Sequence, residues 1–105
     1  MKEKKPTAIL RDLFAGDRII RVMGAHNALT AKLVEKGGMD AVWSSGFEIS
    51  SSYGVPDANI LTMNEFLATA ASMADAVNIP IIADCDTGYG NSNNVIHMIR
   101  RFDAA

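Results

Sequence analysis

Strand-like and helix-like segments alternate three times along this chain of 105 residues, and that rhythm limits the possible folds more than any other feature. The strand-like segments are predicted at residues 18–23, 39–43 and 79–83. The segments between them are too long for hairpins, so the strands should run parallel with right-handed crossovers. Each strand carries apolar residues on both faces, as strands covered by helices do. The sequence therefore predicts an α/β fold built on a parallel sheet.

Start and stop signals frame the predicted helices. Most of these helices begin at a residue whose side chain can accept hydrogen bonds from the first backbone amides. Their ends are indicated by a glycine or by a proline that follows shortly after. Thr62 and Glu65 match a capping box, in which the two residues satisfy amides reciprocally. Helices are predicted from Thr7 to a left-handed Gly16, from Asn27 to Gly37, from Thr62 to Asn78, and from residues 91–94 onward. Residues 44–61 are predicted to be a long polar connection.

Polar or glycine-rich sequence follows each predicted strand, at residues 24–27, 43–47 and 84–88. In a (β/α) barrel, the chemistry takes place at these carboxyl ends of the strands. A complete (β/α)8 barrel needs roughly 250 residues, and three strands alone would leave an edge unpaired. We therefore expect residues 1–105 to be an incomplete single domain, the amino-terminal portion (about three β/α units) of a (β/α)8 TIM-type barrel. The isolated portion is expected to be inactive.

Two carboxylates, Asp84 and Asp86, follow directly after the third predicted strand. Side chains of a strand alternate between its faces, so both should point the same way while Cys85 points oppositely. Two hard oxygen donors in one small volume suit Mg2+, which commonly takes only one or two protein carboxylates. The alternative is that the aspartates merely cap a turn and the following helix. Cys85, with apolar neighbours, is predicted to be a packed and inert thiol.

Composition narrows the class of protein. The formal net charge is −2 and 49% of the residues are apolar, which is typical of a globular domain. The lysines at the start, Lys2, Lys4 and Lys5, are interrupted by Glu3 and are predicted to keep the terminus solvated. No basic patch stands out, so we do not expect nucleic acid as a partner. The sequence has no run of about 18 apolar residues, so we do not expect a membrane as a partner. The single cysteine fits a reducing, cytoplasmic location.

Four segments together carry a resemblance to a known family. They are AHN at residues 25–27, WSSGFE at 43–48, YGVPDAN at 53–59 and DCDTGYGN at 84–91. In this order and spacing, they resemble the phosphoenolpyruvate mutase branch of the isocitrate lyase superfamily, over nearly the whole chain. The resemblance implies a Mg2+-dependent enzyme that acts on the P–C bond of phosphonopyruvate. It also implies a homo-oligomer, a dimer or tetramer, of barrels that usually exchange a helix between subunits.

The resemblance also implies roles for individual residues. Asp84 matches the direct metal ligand, and Asp86 matches a carboxylate that contacts the metal through water. A further outer ligand, a glutamate, is expected after a fourth strand, beyond residue 105. Asp57 matches the aspartate beside the transferring phosphoryl group. The substrate carboxylate and carbonyl are implied to bind backbone amides in the segment of Ser45, Gly46 and Phe47, with Trp43 as one wall.

Three activities fit the resemblance. The leading hypothesis for the full-length protein is a phosphoenolpyruvate mutase, which interconverts phosphoenolpyruvate and 3-phosphonopyruvate. A phosphonopyruvate hydrolase would share the metal site, with water rather than the enolate oxygen capturing the phosphoryl group. A carbon–carbon lyase acting on isocitrate-like or methylisocitrate-like acids is the third, against which Asn59 argues because such lyases often have glycine there. The groups that separate these activities are expected after residue 105.

Two predicted site residues also have plain structural interpretations. Asp57 follows Pro56, which is compatible with an ordinary turn. If Asp57 is functional, it is either a positioning group or a transient acceptor of the phosphoryl group. Trp43, at the end of a strand, is also compatible with a packed core position.

Overall fold

A computed structural model of the chain describes residues 4–105, so Lys2 and Glu3 of the lysine-rich start lie outside the described residues. Within this range the elements are, in chain order, α1 (Pro6–Ala15), β1 (Val22–Ala25), α2 (Ala28–Lys36), β2 (Ala41–Ser44), α3 (Gly46–Ser52), α4 (Met63–Ala76), β3 (Ile81–Ala83) and α5 (Ser92–Ala104). Strands and helices alternate as predicted, with one additional helix, α3, in the predicted polar connection. No helix in the described range is long and apolar enough to cross a bilayer.

The three strands form one parallel sheet in the order β1-β2-β3, which confirms the predicted α/β architecture. Alternate residues of a strand face opposite sides of the sheet. On one side, Val42 is 0% exposed and packs with side chains of α2 and α4, whereas its neighbour Trp43 on the other side is 37% exposed. Gly24 and Ile82 are in register with Trp43 and share its side. We call this side the open face of the sheet.

Side-chain caps begin three helices where the sequence predicts them. Reciprocal capping boxes join Asn27 to Thr30, Thr62 to Glu65 and Asn91 to Asn94. Each box satisfies backbone amides that have no partner inside the helix. Because a cap fixes where a helix begins, these contacts also fix the lengths of the connections that precede α2, α4 and α5.

The first helix departs from its predicted ends. It begins at Pro6, after Lys5, and no side chain caps it, so the predicted start at Thr7 is wrong. Proline suits the first helical position because its φ is already helical and it has no amide to satisfy. Gly16 ends the helix, but its φ is −81°, so the predicted left-handed conformation is also wrong. The end of α1 therefore does not require a glycine.

β1 begins at Val22, later than predicted, and an ion pair lies in the stretch before it. The Arg18 guanidinium donates to the two carboxylate oxygens of Asp40 at 2.7 and 2.9 Å, and the Arg21 amide donates to Asp40 at 2.8 Å. These hydrogen bonds, that from Arg18 foremost, lower the pKa of Asp40 to about 2. Asp40 precedes β2, so its carboxylate ties the entrance of β1 to the entrance of β2.

Buried apolar side chains form two clusters. The sheet cluster packs α2 and α4 against the sheet and consists of Ala25, Ala31, Val34, Val42, Met73 and Val77. The loop cluster consists of Ile49, Leu61 and Phe66, with Val55, Tyr89 and Phe102 packed against them. The loop cluster draws on α3, residues 53–62, α4, the turn after β3 and α5. It therefore joins the segments that carry most of the predicted site residues.

Candidate functional site

Asp84 and Asp86 lie in a turn rather than in a strand. β3 ends at Ala83 and Asp86 has a φ of +45°, so the strand alternation that was expected to align the two carboxylates is wrong. A turn brings them together instead, in which Asp84 Oδ1 accepts a hydrogen bond from the Asp86 amide at 3.1 Å. Aspartate commonly forms such a turn with the amide two residues on. Both carboxylates consequently face one neighbour, Gly46.

Gly46 is the point of closest approach between α3 and this turn. Its amide donates a hydrogen bond to Asp84 Oδ2 at 3.0 Å. A Cβ atom at position 46 would lie 2.7 Å from Asp84 Oδ2 and 3.2 Å from Asp86 Oδ1, and the first distance is shorter than real side chains allow. A side chain at position 46 would therefore have to displace the Asp84 carboxylate. With the Asp86 amide, the Gly46 amide fixes both oxygens of Asp84 through main-chain donors.

Asp57 contributes negative charge to the same region. It lies exposed in the segment between α3 and α4. Burial raises the pKa of the Asp86 carboxyl, and the charges of Asp84 and then Asp57 raise it further. The structure thus brings Asp57 within electrostatic reach of the carboxylate pair. A concentration of like charge of this kind favours binding of a cation.

The three residues implied to bind substrate have different surroundings. Ser45 is 5% exposed, and its hydroxyl caps α3 by accepting from the Glu48 amide at 3.1 Å. The Ser45 and Gly46 amides already donate, to Ala25 and Asp84 respectively. Phe47 is 62% exposed, and its amide lies in the first turn of α3, where a helix leaves its amides unpaired. Of these three amides, that of Phe47 is therefore the one available to a ligand.

Trp43 lies on the open face at the end of β2, and not in a packed core. The strand register sets it beside Gly24 on one side and Ile82 on the other. Gly24 leaves room there for a neighbour from α3, the Glu48 carboxylate, which occupies the position that a Cβ of residue 24 would take. Sequence reasoning gave Glu48 no role because α3 was not predicted. Because Glu48 lies in the first turn of α3, its side chain can reach across the end of β1.

Cys85 is half-buried, as its apolar surroundings predicted. Its thiol lies 3.7 Å from the Ala83 carbonyl oxygen, which can accept its proton weakly. Burial, and then the charges of Asp84 and Asp86, raise the pKa of the thiol. A raised pKa keeps the sulfur protonated at neutral pH, and a protonated thiol is a poor nucleophile. These surroundings support the interpretation of Cys85 as an inert thiol.

Tyr89 is a second residue that the sequence analysis missed. Its ring stacks on Phe66 with centroids 5.9 Å apart and planes inclined by 29°. Its hydroxyl is buried and has no hydrogen-bond partner among residues 4–105. Burial, with smaller contributions from Cys85, Asp86 and Asp84, raises the pKa of the phenol above its ordinary value. A tyrosine between two glycines is the signal that would have drawn attention to it.

The donor set at the turn fits Mg2+ in its chemistry. Within the described range, no three or more His, Cys, Asp or Glu side chains are grouped so as to hold a metal ion. Two oriented carboxylates nevertheless match the common mode for Mg2+, in which waters and substrate complete the coordination. Burial first, and then the charges of Asp84 and Asp57, raise the pKa of Asp86, and a cation would offset that negative charge.

A cavity of about 580 Å³ lies elsewhere, between α2, α3 and α4. It is lined by His26, Asn27, Ser52, Tyr53, Ala68, Thr69 and Ser72. None of the predicted site residues belongs to that lining. The candidate site is therefore defined by the turn after β3 and the start of α3, and not by this cavity.

A family model described as "Phosphoenolpyruvate phosphomutase" matches residues 10–105. A phosphonopyruvate hydrolase of Variovorax sp. (strain Pal2) is 48% identical over 96 residues, which cover 91% of this chain and 33% of that protein. A 2,3-dimethylmalate lyase of Eubacterium barkeri is 40% identical over 99 residues, which cover 93% of this chain and 34% of that protein. The chain thus spans about a third of the length of these relatives.

Two solved structures match the fold closely. The crystal structure of a phosphoenolpyruvate phosphomutase from Streptomyces platensis subsp. rosaceus has a TM-score of 0.93 and 58% identity, over 95% of this chain and 35% of that one. A phosphonopyruvate hydrolase in complex with oxalate and Mg2+ has a TM-score of 0.93 and 44% identity, over 96% of this chain and 36% of that one. The three-stranded sheet matches the amino-terminal part of these TIM-barrel structures, which confirms the predicted fold class.

Proposed function

We propose a function from one established premise: this chain belongs to the phosphoenolpyruvate phosphomutase family, within the superfamily of phosphoenolpyruvate mutases and isocitrate lyases. The full-length protein is proposed to be a phosphoenolpyruvate mutase, which interconverts phosphoenolpyruvate and 3-phosphonopyruvate. The main support is the position of Asp84, which the Gly46 amide holds beside Asp86. The chain that shows this contact is 58% identical to a solved phosphoenolpyruvate phosphomutase.

Asp84 and Asp86 are the residues proposed to hold Mg2+. Their support is the pair of main-chain hydrogen bonds to Asp84 and the negative charge around Asp86. When bound, Mg2+ would supply a Lewis acid that stabilises negative charge developing on substrate oxygens. The raised pKa of Asp86 means that protons compete for this carboxylate at a higher pH than usual. Cation binding should therefore weaken as the pH falls.

The start of α3 is proposed to hold the substrate. Ser45, Gly46 and Phe47 would border its carboxylate and carbonyl, with Trp43 as a wall on the open face. The Phe47 amide is free to donate to an oxyanion, while the Gly46 amide orients Asp84. Such fixed donors stabilise charge that develops during a reaction because they need not reorganise.

Asp57 is proposed to act beside the phosphoryl group. The P–C bond of phosphonopyruvate breaks, its electron pair remains on the pyruvate enolate, and the enolate oxygen then captures the phosphoryl group. Phosphoryl transfer of this kind has a loose transition state, so the protein mainly has to position groups and balance charge. Asp57 either positions the phosphoryl group or accepts it transiently. Its reach to Asp86 supports a location at the reacting end of the substrate.

Two other activities are alternatives. A phosphonopyruvate hydrolase is favoured by the relative that is 48% identical. A carbon–carbon lyase is favoured by the 2,3-dimethylmalate lyase that is 40% identical. Asn59 has a φ of +59°, a left-handed conformation that both asparagine and glycine adopt, so its backbone does not separate these activities. That Asn59 argues against a lyase stays a prediction.

The assembly proposed for the full-length protein is a homo-oligomer of (β/α)8 barrels in the cytoplasm. Residues 1–105 would form the first β/α units of one barrel domain. The open face supports this proposal, since Trp43 and Ile82 lie there in register at the position where a barrel has its interior. The single cysteine supports the location.

Phosphorus NMR of the full-length protein with phosphonopyruvate and Mg2+ tests the proposed activity. A growing phosphoenolpyruvate signal is expected for a mutase. Inorganic phosphate without phosphoenolpyruvate would favour the hydrolase, and an unchanged phosphonate signal from folded, metal-loaded protein would favour a lyase.

Asp84→Ala should abolish turnover with only a modest loss of stability. The matched control is Asp103→Ala, at an exposed position, which should retain turnover. Full activity of Asp84→Ala at saturating Mg2+ would refute the metal assignment.

A further inference from the structure

The turn that carries Asp86 is held in an unfavourable backbone conformation. Asp86, Gly88, Tyr89 and Gly90 have φ values of +45°, +94°, +66° and +146°. Glycine adopts positive φ readily, but for a bulky residue such as Tyr89 it is a genuine outlier. A backbone of this kind persists only where surrounding contacts hold it, and such outliers concentrate at functional sites. The contacts that hold this turn therefore bear on the position of Asp86.

Two contacts hold the turn, one to each of two helices. A Cβ at position 88 would lie 2.5 Å from Val95 Cγ2, so the Gly88 backbone is packed against α5. The Tyr89 ring stacks on Phe66 of α4. Of these two contacts, the aromatic stack is the one that a side chain of the turn makes.

Tyr89 packs against the same buried cluster as the segment that carries Asp57. Tyr89 and Val55 both pack against the cluster of Ile49, Leu61 and Phe66, and Val55 and Leu61 flank Asp57 in sequence. One side chain of the Asp86 turn thus shares an apolar cluster with the anchors of the Asp57 segment. A change in that cluster is therefore expected to move the Asp86 turn relative to Asp57.

We propose that Tyr89 is a positioning residue that sets the place of Asp86 relative to Asp84 and Asp57 through the packing of its ring in the loop cluster. This inference rests on the proposed function, because it concerns a site in which Asp86 holds a metal ion. We assign the positioning to the ring because, within residues 4–105, the ring packs in the loop cluster and the buried hydroxyl has no hydrogen-bond partner. Removing an unpaired buried hydroxyl takes away no favourable contact.

Titration of the full-length protein with Mn2+, a cation that reports its own binding by electron paramagnetic resonance, tests the inference without turnover. Tyr89→Leu should weaken Mn2+ binding by at least about tenfold, the range in which residues that orient metal ligands act. Tyr89→Phe keeps the ring and should bind Mn2+ within about twofold of the unmodified protein. The matched control is Val34→Ala in the sheet cluster, which also destabilises the core but should leave Mn2+ affinity within about twofold.

Further outcomes decide the inference. Normal Mn2+ affinity of Tyr89→Leu, or an equal loss in Val34→Ala, would overturn it. If Tyr89→Leu does not fold by circular dichroism, Phe66→Leu removes the same stack from the other side and is expected to weaken Mn2+ binding in the same way. Unmodified protein that binds Mn2+ without converting phosphonopyruvate would contradict the proposed function alone. Unmodified protein that does not bind Mn2+ would overturn both.

Discussion

At the scale of single residues, glycine is favoured at position 46 by the closeness of two carboxylates and not by the backbone conformation. The distance of 2.7 Å between a Cβ there and Asp84 Oδ2 is too short for a side chain unless the carboxylate moves. The same proximity lets the Gly46 amide donate to that oxygen at 3.0 Å. A larger residue would therefore move the carboxylate and lengthen the hydrogen bond together.

Gly46→Ala should consequently lower kcat in the full-length protein by about 100-fold, because small displacements of reacting groups carry losses of that size. The matched control is Gly16→Ala, since Gly16 has an ordinary φ of −81° and a Cβ there would lie 3.4 Å from the nearest atom, the Leu13 carbonyl oxygen. Steady-state kinetics on both variants check the prediction. Equal activities would mean that the carboxylates tolerate displacement.

At the scale of elements, the sequence predicts best where one local interaction decides the outcome. The capping boxes at Asn27, Thr62 and Asn91 depend on residues three apart, and all three lie where the sequence indicates. The helix α3 was missed because Gly46 and a run of serines are weak helix formers. A hydrogen bond from its first amide to Asp84, 38 residues away, supports its start, and no local pattern reveals such a contact.

In the candidate site too, the sequence predicts the features that depend on local interactions and misses those that depend on tertiary contacts. Asp84 and Asp86 were identified from their place after an apolar strand. The strand alternation used to align them was wrong, because the chain turns directly after the strand, where the Asp86 amide donates to Asp84 Oδ1. The pKa of Asp86 is raised by burial, then by Asp84 and then by Asp57, and the burial and the contribution of Asp57 both depend on tertiary proximity. Tyr89 was missed for the same reason, since Phe66 lies far from it in sequence.

Glu35 links α2 to the connection between α4 and β3, and its removal should weaken that link. Its Oε2 accepts hydrogen bonds from the amides of Asn78 and Ile79 at 2.6 and 3.2 Å. Glu35→Ala leaves both amides without this partner and should lower the free energy of unfolding by about 1–2 kcal/mol. Glu35→Gln keeps an acceptor and should recover part of the loss. Urea titration of the full-length proteins measures both, and an Ala variant as stable as the Gln variant would contradict the prediction.

Asp40 should make the stability of the protein depend on pH in the acid range. Its folded pKa of about 2 lies below the ordinary value of about 3.9 in an unfolded chain. A lowered folded pKa stabilises the fold above the unfolded pKa, and that stabilisation disappears as the pH falls toward the folded pKa. Asp40→Asn should therefore destabilise the protein at pH 7, with a difference that shrinks between about pH 4 and 2. Urea midpoints across this range check the trend, and a difference independent of pH would contradict it.

At the scale of the whole molecule, the sheet buries Val42 on its helix side and leaves Trp43 partly exposed on the open face. Val42 is 0% exposed on the helix side, whereas Trp43 is 37% exposed on the open face. Apolar residues on a parallel sheet normally lie beneath another layer. The loop cluster and the sheet cluster together therefore account for only part of the apolar surface that the chain presents.

The isolated chain of 105 residues should for this reason lack a sharp thermal transition as a monomer and should not turn over phosphonopyruvate. Circular dichroism with a parallel measurement of molecular mass checks the first expectation. Phosphorus NMR under the conditions used for the full-length protein checks the second. A cooperative transition from a monomer would show that the open face needs no covering layer.

The hydrogen bonds that orient Asp84 have an evolutionary consequence, because both donors belong to the main chain. Divergence in the side chains of Trp43, Phe47 or Cys85 leaves those donors in place. Descendants of a common ancestor can therefore acquire new substrates while inheriting the same oriented carboxylate. Relatives that carry the names of a hydrolase of phosphonopyruvate and a lyase of 2,3-dimethylmalate show that proteins similar to this chain differ in their substrates.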